Sequence, residues 1–196
     1  MAIVLASASP RRKELLEMLR VKDLVILPAE GDEICPAGLS PDETVKALAY
    51  AKALEVFDRW QKQPSRREGD VILAADTIVW HRGRILGKPH SREEGFSMLR
   101  SLSGNVHEVY TGVVVLSADR AEREAVCSRV TFRELLDREI NAYLDTGEPM
   151  DKAGAYGAQG IGALFVTAIE GDFYNVMGLP LCTTGRMLHR VGVELL

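Results

Sequence analysis

Residues 71–76 are Val-Ile-Leu-Ala-Ala-Asp, a continuous apolar run that ends in a carboxylate. A strand whose two faces are both buried in an α/β sheet has this composition, so the run predicts a central strand. Residues 78–86 then predict a hairpin that turns at Arg82 and Gly83. Ligands of α/β sheets bind beyond the carboxyl ends of the strands. Asp76 is therefore a candidate metal ligand or general base, and the alternative is a carboxylate that caps a turn.

Strands and helices alternate on both sides of this run. Apolar runs predict further strands at residues 3–6, 24–27, 109–116, 124–132 and 164–169. Apolar periodicity and capping signals predict helices at residues 10–19, 41–57, 91–102, 138–145 and 182–191. The alternation predicts one α/β domain over residues 1–196, with three layers around a mixed sheet.

Two of these helices carry specific expectations. The apolar face of the first is expected to consist of Leu15, Leu16, Met18 and Leu19. The second has a buried stripe made of Val45, Leu48, Ala49 and Val56. Lys52 falls on that same stripe, which is unusual for a lysine. It is either a ligand-binding cation or a side chain that snorkels at the edge of the core.

Composition excludes several classes of protein. The net charge is -4 and the basic residues come in small groups, which argues against binding to a nucleic-acid polymer. The three cysteines form no CxxC pair, so free buried thiols in a reducing compartment are expected. No run of eighteen apolar residues predicts a membrane span, and the opening residues lack the order of a signal peptide. These features predict a cytoplasmic protein.

The segment Ser7–Arg12, with sequence SASPRR, follows the first strand and opens the first helix. A helix amino end presents backbone N–H groups and a partial positive charge, and the hydroxyls of Ser7 and Ser9 add donors. Arg11 and Arg12 lie in the first turn, where acidic residues are normally preferred. This conflict is explained if a polyanion such as phosphate docks there. The alternative is an ordinary surface helix, capped by Ser9, with solvated arginines.

Other candidates are scattered. Lys88, between Gly87 and Pro89, places a point charge on a tight loop that suits phosphate. Glu33 either joins Asp76 around Mg²⁺ or is a surface carboxylate. The glycine-dense stretch at residues 153–162 contains Gln159, and its glycines permit either close approach to a ligand or simple turns.

Known catalytic motifs are missing. The chain has no phosphate-binding P-loop, dinucleotide fingerprint, HExxH motif or nucleophile elbow. The four histidines show no metal-ligand spacing, and His107 is expected to be a hydrogen-bonded structural residue.

Together these segments resemble the Maf family. Four stretches carry the likeness: LASASPRRKELLEML at 5–19, the segment from AADTIVW to YTGV at 74–113, YLDTGEPMDKAGAYGAQGIGALFV at 143–166, and IEGDFYNVMGLPL at 169–181. The resemblance implies a fold shared with inosine triphosphatase-like enzymes, with two lobes around a deep cleft. It also implies hydrolysis of a nucleoside triphosphate to a monophosphate and pyrophosphate, a homodimer, and a divalent cation such as Mg²⁺, Mn²⁺ or Co²⁺.

The resemblance also assigns roles to residues. Phosphate binding maps onto Ser7, Ser9, Arg11, Arg12, Lys52 and Lys88, of which Lys52 and Lys88 are also counted as catalytic. The acidic catalytic pair, which would hold the metal, maps onto Glu33 and Asp76. Asp76–Thr77 and the Gln159 loop resemble the branch of the family that acts on dTTP and UTP, with a house-cleaning role that extends to modified pyrimidine nucleotides. Arg11, Thr77 and Gln159 are expected to shape that preference.

Three other functions compete with this interpretation. The nearest is hydrolysis of 7-methyl-GTP, whose branch tends to carry Asp-Gln and a glutamate in the loop. The second is a nucleotide-sensing regulator of septum formation, for which Asp76 would be unnecessary. The third is an RNA-binding module, against which the acidic balance argues.

Overall fold

A computed structural model describes residues 1–31, 35 and 38–196. In this part of the chain the strands are β1 (Ile3–Leu5), β2 (Leu24–Ile26), β3 (Val71–His81), β4 (Arg84–Leu86), β5 (Val106–Leu116), β6 (Ala121–Phe132) and β7 (Val166–Glu170). The α-helices are α1 (Pro10–Met18), α2 (Pro41–Trp60), α3 (Arg92–Leu102), α4 (Asp137–Asp145), α5 (Phe173–Met177) and α6 (Leu181–Arg190). Short 3-10 turns cover Glu148–Asp151, Ala153–Ala155 and Ile161–Phe165.

The strands form one mixed sheet, in the order β2-β1-β3-β5-β6-β7, with β4 paired to β3. Strand β1 runs parallel to both β2 and β3, whereas β3–β4 and β6–β7 are antiparallel pairs. The predicted mixed α/β fold is therefore confirmed. The deep cleft and the extent of the domain stay predictions.

The helices and strands differ from the sequence predictions in several respects. Strand β3 does not end at Asp76 but continues to His81, because residues 77–80 are β-branched or aromatic and 79–81 pair with β4. Met18 is 54% exposed, and Leu19 is only half-buried, so of the predicted apolar face of α1 only Leu15 and Leu16 are buried. Helix α5 was not predicted.

The described chain divides into two compact units. Unit 1 comprises Met1–Asp76, Thr111–Val126 and Gly178–Leu196, and unit 2 comprises Thr77–Tyr110 and Cys127–Met177. In unit 1 the apolar stripe of α2 packs on β1, β3 and β5, with Ala49, Ala53 and Val56 fully buried. The predicted stripe of α2 is confirmed.

Gly112 of β5 allows α2 to approach the sheet closely. A Cβ atom at this position would lie 2.3 Å from the backbone oxygen of Val45. Because backbone atoms cannot move aside as a flexible side chain does, only glycine fits between this strand and α2. The contact fixes the height of α2 over the sheet in unit 1, and α2 carries Lys52.

Unit 2 has its own core, formed by α3, α4 and the aromatic residues of β6 and the glycine-rich segment. His107 is 2% exposed, and its Nε2 lies 2.8 Å from the Tyr156 hydroxyl. The His107 ring meets Phe132 and Tyr156 edge-on, with centroids 5.0 and 5.3 Å away. Burial lowers the pKa of His107 to about 3. The expectation that His107 is a hydrogen-bonded structural residue is confirmed.

Two further properties concern the surface. All three cysteines are free, as expected, but they are exposed, so the expectation of buried thiols is wrong. Among the residues that the structure describes, no helix has both the length and the apolar character needed to cross a membrane.

Candidate functional site

A buried ion pair joins α2 to the central strand in unit 1. The Lys52 ammonium lies 2.5 Å from Oδ1 of Asp76, and the two side chains are 16% and 7% exposed. Both charges have left bulk water, which is costly unless the groups are matched or serve a ligand. Lys52 is therefore an inward-facing charged group and does not snorkel toward solvent.

Arg12 and Ser7 form a second polar pair in unit 1. Arg12 is 9% exposed; its NH1 donates to the Ser7 hydroxyl at 3.1 Å and its Nε donates to the backbone oxygen of Gly178 at 2.8 Å. The alternative of a solvated arginine is therefore wrong for Arg12. Two hydrogen bonds fix the guanidinium plane, so an anion would meet a donor already in place.

Ser9 and Arg11 complete the amino end of α1. The Ser9 backbone N–H donates to the Ser7 hydroxyl at 3.2 Å, but the Ser9 hydroxyl does not cap the helix. The expected hydroxyl cap is therefore wrong, although Pro10 does begin the helix. Arg11 is half-buried and makes no ion pair or hydrogen bond with any other described residue.

Both polar pairs belong to the same edge of the unit 1 sheet. Strands β1 and β3 run parallel with Leu5 opposite Leu73, and the Ala6 N–H donates to the Leu73 oxygen at 2.8 Å. Ser7 and Asp76 both follow these paired residues in the direction of the carboxyl end. Although β3 continues past Asp76, its partner β1 has ended, so Asp76 still lies where β1 leaves the sheet.

Three of the predicted residues belong to unit 2. Thr77 follows Asp76 directly and is half-buried, and Lys88 and Gln159 are exposed. Lys88 lies in the loop between β4 and α3, and its neighbour Gly87 accepts a hydrogen bond at its oxygen from the Gly154 N–H at 3.0 Å. Thus Ser7 with Arg12, and Lys52 with Asp76, are brought into contact, whereas Lys88 and Gln159 are each placed within unit 2.

Only one member of the predicted metal-binding pair lies in the part of the chain that the structure describes. Glu33 lies outside the described residues, and Asp76 is the member whose position is known. Among residues 1–31, 35 and 38–196, no group of three His, Cys, Asp or Glu side chains is arranged to hold a metal. Mg²⁺ in proteins is commonly held by one or two carboxylates together with substrate oxygens and water.

Sequence reasoning missed two kinds of contact. The acceptor of Arg12 is a backbone carbonyl 166 residues away, for which no side-chain motif exists. The glycine-rich segment is held by hydrogen bonds from its backbone N–H groups to Tyr143 and Glu148. The glycines of that segment left close approach to a ligand or simple turns open, and they did not indicate these two partners.

The whole arrangement therefore offers cations, a hydroxyl and one buried carboxylate at a strand edge. Comparison with known proteins decides the family. The family model described as Maf-like protein matches residues 2–191. This chain belongs to the Maf family.

Relatives of this Maf chain carry a consistent name. A protein of Clostridium tetani named dTTP/UTP pyrophosphatase is 44% identical over 198 residues, covering 100% of both chains. Relatives with the same name occur in Geobacillus sp., at 46% identity with 97% and 98% covered, and in Desulfitobacterium hafniense, at 49% with 91% and 80% covered.

One solved structure also aligns with the chain. It is a nucleoside-triphosphatase, dITP/XTP pyrophosphatase, from Mycobacterium abscessus, with a TM-score of 0.44, 12% identity and coverage of 98% and 99%. A likeness of that size supports no conclusion about this Maf chain.

Proposed function

We propose that the protein hydrolyses dTTP and UTP to the monophosphate and pyrophosphate. The buried Lys52–Asp76 pair carries this proposal, because it holds a carboxylate and an ammonium at the strand edge where β1 ends. The names of relatives at 44–49% identity supply the substrate class. A water molecule attacks the α-phosphorus, the bond from that phosphorus to the bridging oxygen breaks, and pyrophosphate leaves with the bond electrons.

The basic residues would neutralise the phosphate chain. A nucleoside triphosphate carries about four negative charges, so several donors must converge on it before an oxygen nucleophile can approach. Arg12 and Ser7 are held in place by their hydrogen bonds, and Ser9 and Arg11 adjoin them on α1. The resemblance assigns Lys88 to the phosphates as well, where it would act as a point charge.

Asp76 has one of two roles in this proposal. As a general base it accepts a proton from the attacking water, and as a ligand it holds a divalent cation. Lys52 limits the orientations of the carboxylate, since its ammonium lies 2.5 Å from Oδ1.

A divalent cation, Mg²⁺ with Mn²⁺ or Co²⁺ as substitutes, is part of the proposal. Asp76 and Glu33 would hold it, and when bound it supplies positive charge to the phosphate oxygens. A buried carboxylate is a suitable ligand for a hard cation.

The base would be read by Gln159, with Thr77 and Arg11 beside the substrate. Uracil and thymine present a carbonyl acceptor next to an N–H donor, and one carboxamide satisfies both groups. Gln159 is exposed, which leaves its side chain accessible to a ligand.

Location and assembly complete the proposal. Three free cysteines fit a reducing compartment, so we place the protein in the cytoplasm. A homodimer follows from the family resemblance, and no nucleic-acid or membrane partner is expected.

The test is pyrophosphate release from dTTP, UTP, CTP, GTP and 7-methyl-GTP under identical conditions. The proposal expects the highest kcat/KM for dTTP and UTP. Faster turnover of 7-methyl-GTP or CTP would reject the base assignment and keep the reaction class. Tight nucleotide binding without pyrophosphate release would favour a sensor and reject the enzyme.

A further inference from the structure

One tyrosine–glutamate pair holds the glycine-rich loop of unit 2, residues 157–162. The Tyr143 hydroxyl donates to Oε1 of Glu148 at 2.8 Å and accepts from the Gly157 N–H at 3.1 Å. The Glu148 carboxylate also accepts from the Ile161 N–H at 3.1 Å and the Gly162 N–H at 3.2 Å. Hydrogen bonds to the pair therefore anchor the backbone of the loop at its first residue and at its last two residues.

The loop also packs directly against this pair. A Cβ atom on Gly162 would lie 2.6 Å from the Tyr143 hydroxyl, and one on Gly160 would lie 2.9 Å from Oε2 of Glu148. Gly160 has a φ of +105°, a backbone conformation that favours glycine. Two of these glycines therefore lie close to the side chains of the supporting pair, and close approach to a ligand stays a prediction.

Glu148 is suited to this role because it is an ionised acceptor. Burial acts to raise the pKa of its carboxyl, but hydrogen bonds from Tyr143 and from the loop N–H groups hold that pKa below its ordinary value. Hydrogen bonds to an ionised carboxylate are stronger than neutral ones. A second attachment reinforces the turn, since the Lys152 ammonium donates to the Glu148 backbone oxygen at 2.6 Å.

Gln159 lies within this anchored loop. Its side chain is exposed, and it makes no hydrogen bond with any other described residue. The carboxamide is therefore positioned by its backbone, and the backbone on both sides of it is fixed by Tyr143 and Glu148. Neither of those two side chains needs to contact the substrate for its loss to displace the carboxamide.

We infer that Tyr143 and Glu148 are positioning residues for pyrimidine selection, which they exert through Gln159. This inference rests on the proposed function, because it assigns the base-reading step to that loop. It predicts that weakening the pair loosens discrimination between bases while leaving the chemical step largely intact.

The main test variant is Glu148→Gln. It keeps the size of the side chain but places an amide donor toward backbone N–H groups that need an acceptor. We expect kcat/KM for dTTP and UTP to fall about tenfold, mostly through KM, while CTP turnover changes little, so that the dTTP/CTP ratio falls. Tyr143→Phe removes both hydroxyl contacts and should act in the same direction, and it serves if Glu148→Gln does not fold. Glu170→Gln, at an exposed carboxylate of the same unit that pairs with Arg129, should leave the ratio unchanged.

A double-mutant cycle with Gln159→Ala separates positioning from a general loss of stability. Once the carboxamide is gone, Glu148→Gln should lower the dTTP/CTP ratio no further. If Glu148→Gln and Tyr143→Phe lower turnover of all nucleotides equally and leave the ratio at its wild-type value, the inference is overturned and the pair is only structural. If the wild type itself does not prefer dTTP and UTP, the proposed function is rejected, and the inference that depends on it is rejected as well.

Discussion

Helices α1 and α3 both begin after a serine, but their amino ends are satisfied differently. In unit 2, the Ser91 hydroxyl accepts from the Glu94 N–H at 3.1 Å, and Glu93 and Glu94 occupy the first turn. In unit 1, the Ser9 hydroxyl does not cap α1, and the first turn holds no acidic residue but two arginines. The first arrangement follows the preferences of an isolated helix, and the second opposes them.

This difference supports the proposal that an anionic ligand binds at the amino end of α1. Groups that would stabilise α3 by itself are present in α3, whereas α1 keeps positive charge and N–H groups at one end. Departures from local preference tend to occur at functional sites, because the missing stabilisation is provided when the ligand binds.

The largest difference between the two units is expected when a carboxylate is replaced by an amide in each. Asp76→Asn should lower kcat at least about 100-fold, because an amide neither accepts a proton from water nor matches a cation. Steady-state pyrophosphate release measures the effect, and circular dichroism checks that the variant folds. Glu94→Gln makes the same change in the first turn of α3 and should leave kcat unchanged. A kcat for Asp76→Asn above a tenth of wild type would remove Asp76 from the chemistry.

The next largest effects are expected when Arg12 or Lys88 is replaced by alanine. Arg12→Ala should abolish triphosphate hydrolysis and also lower the free energy of unfolding by about 2–3 kcal/mol, since Ser7 and the Gly178 oxygen lose a buried charged donor. Lys88→Ala should lose hydrolysis with a stability change within about 0.5 kcal/mol, because Lys88 is exposed.

Arg92→Ala is the matched control for Arg12, as Arg92 is the first residue of α3 and pairs with Asp145 at the surface. It should cost at most about 1 kcal/mol and leave activity unchanged. Urea unfolding of the three variants gives the ranking. An Arg92 variant as unstable as the Arg12 variant would contradict the contrast between the two helices.

Lowering the pH should destabilise unit 2, because His107 is buried there in its neutral form. Its folded-state pKa is about 3, below the value of about 6.5 for a free histidine, so the unfolded chain binds more protons between those values. The stabilisation is complete above about pH 6.5 and is lost as the pH falls toward 3, at up to about 1.4 kcal/mol per pH unit. Burial also lowers the pKa of His81, which acts with the same sign.

Urea unfolding between pH 7 and 4.5 measures this dependence. His107→Gln should be less stable at neutral pH but should lose stability less steeply on acidification than the wild type. Equal slopes for the two proteins would show that His107 does not contribute to acid sensitivity.

The smallest effects are expected when the serine before each of the two helices is replaced by alanine. Ser91→Ala should cost about 1 kcal/mol of unfolding free energy, since the first turn of α3 loses its cap. Ser9→Ala should change stability by no more than a few tenths of a kcal/mol, because no cap is lost, but it should raise KM for the triphosphate. Equal losses of stability would mean that Ser9 does cap α1 in solution.

Much of the fold was predictable because local patterns determine it. The apolar stripe of α2, the cap at Ser91 and the hairpin turn at Arg82 and Gly83 are each encoded within a few neighbouring residues. The predicted central strand is shorter than β3 because an apolar run that ends in a carboxylate resembles the end of a strand. A buried carboxylate remains compatible with a continuing strand when a cation from another element meets it, and Lys52 does so from α2.

The candidate site was predictable in composition but not in contacts. Residue types and the family resemblance named Ser7, Arg12, Lys52 and Asp76. The burial of Arg12 depends on a carbonyl far along the chain, and the support of Gln159 depends on Tyr143 and Glu148. Long-range hydrogen bonds to backbone atoms leave no pattern in the sequence, which is why these partners were missed.

The hydrogen bond from Arg12 to the Gly178 oxygen has a consequence during protein synthesis. Its two residues are separated by 166 positions, and unit 1 is built from three separate stretches of chain. At about 5–20 residues per second, roughly 8–33 s pass on the ribosome after Arg12 is made before its acceptor exists. A nascent chain that has not reached residue 178 therefore holds this arginine without that anchor, and the amino end of α1, which is proposed to bind phosphate, is among the last parts of the protein to be completed.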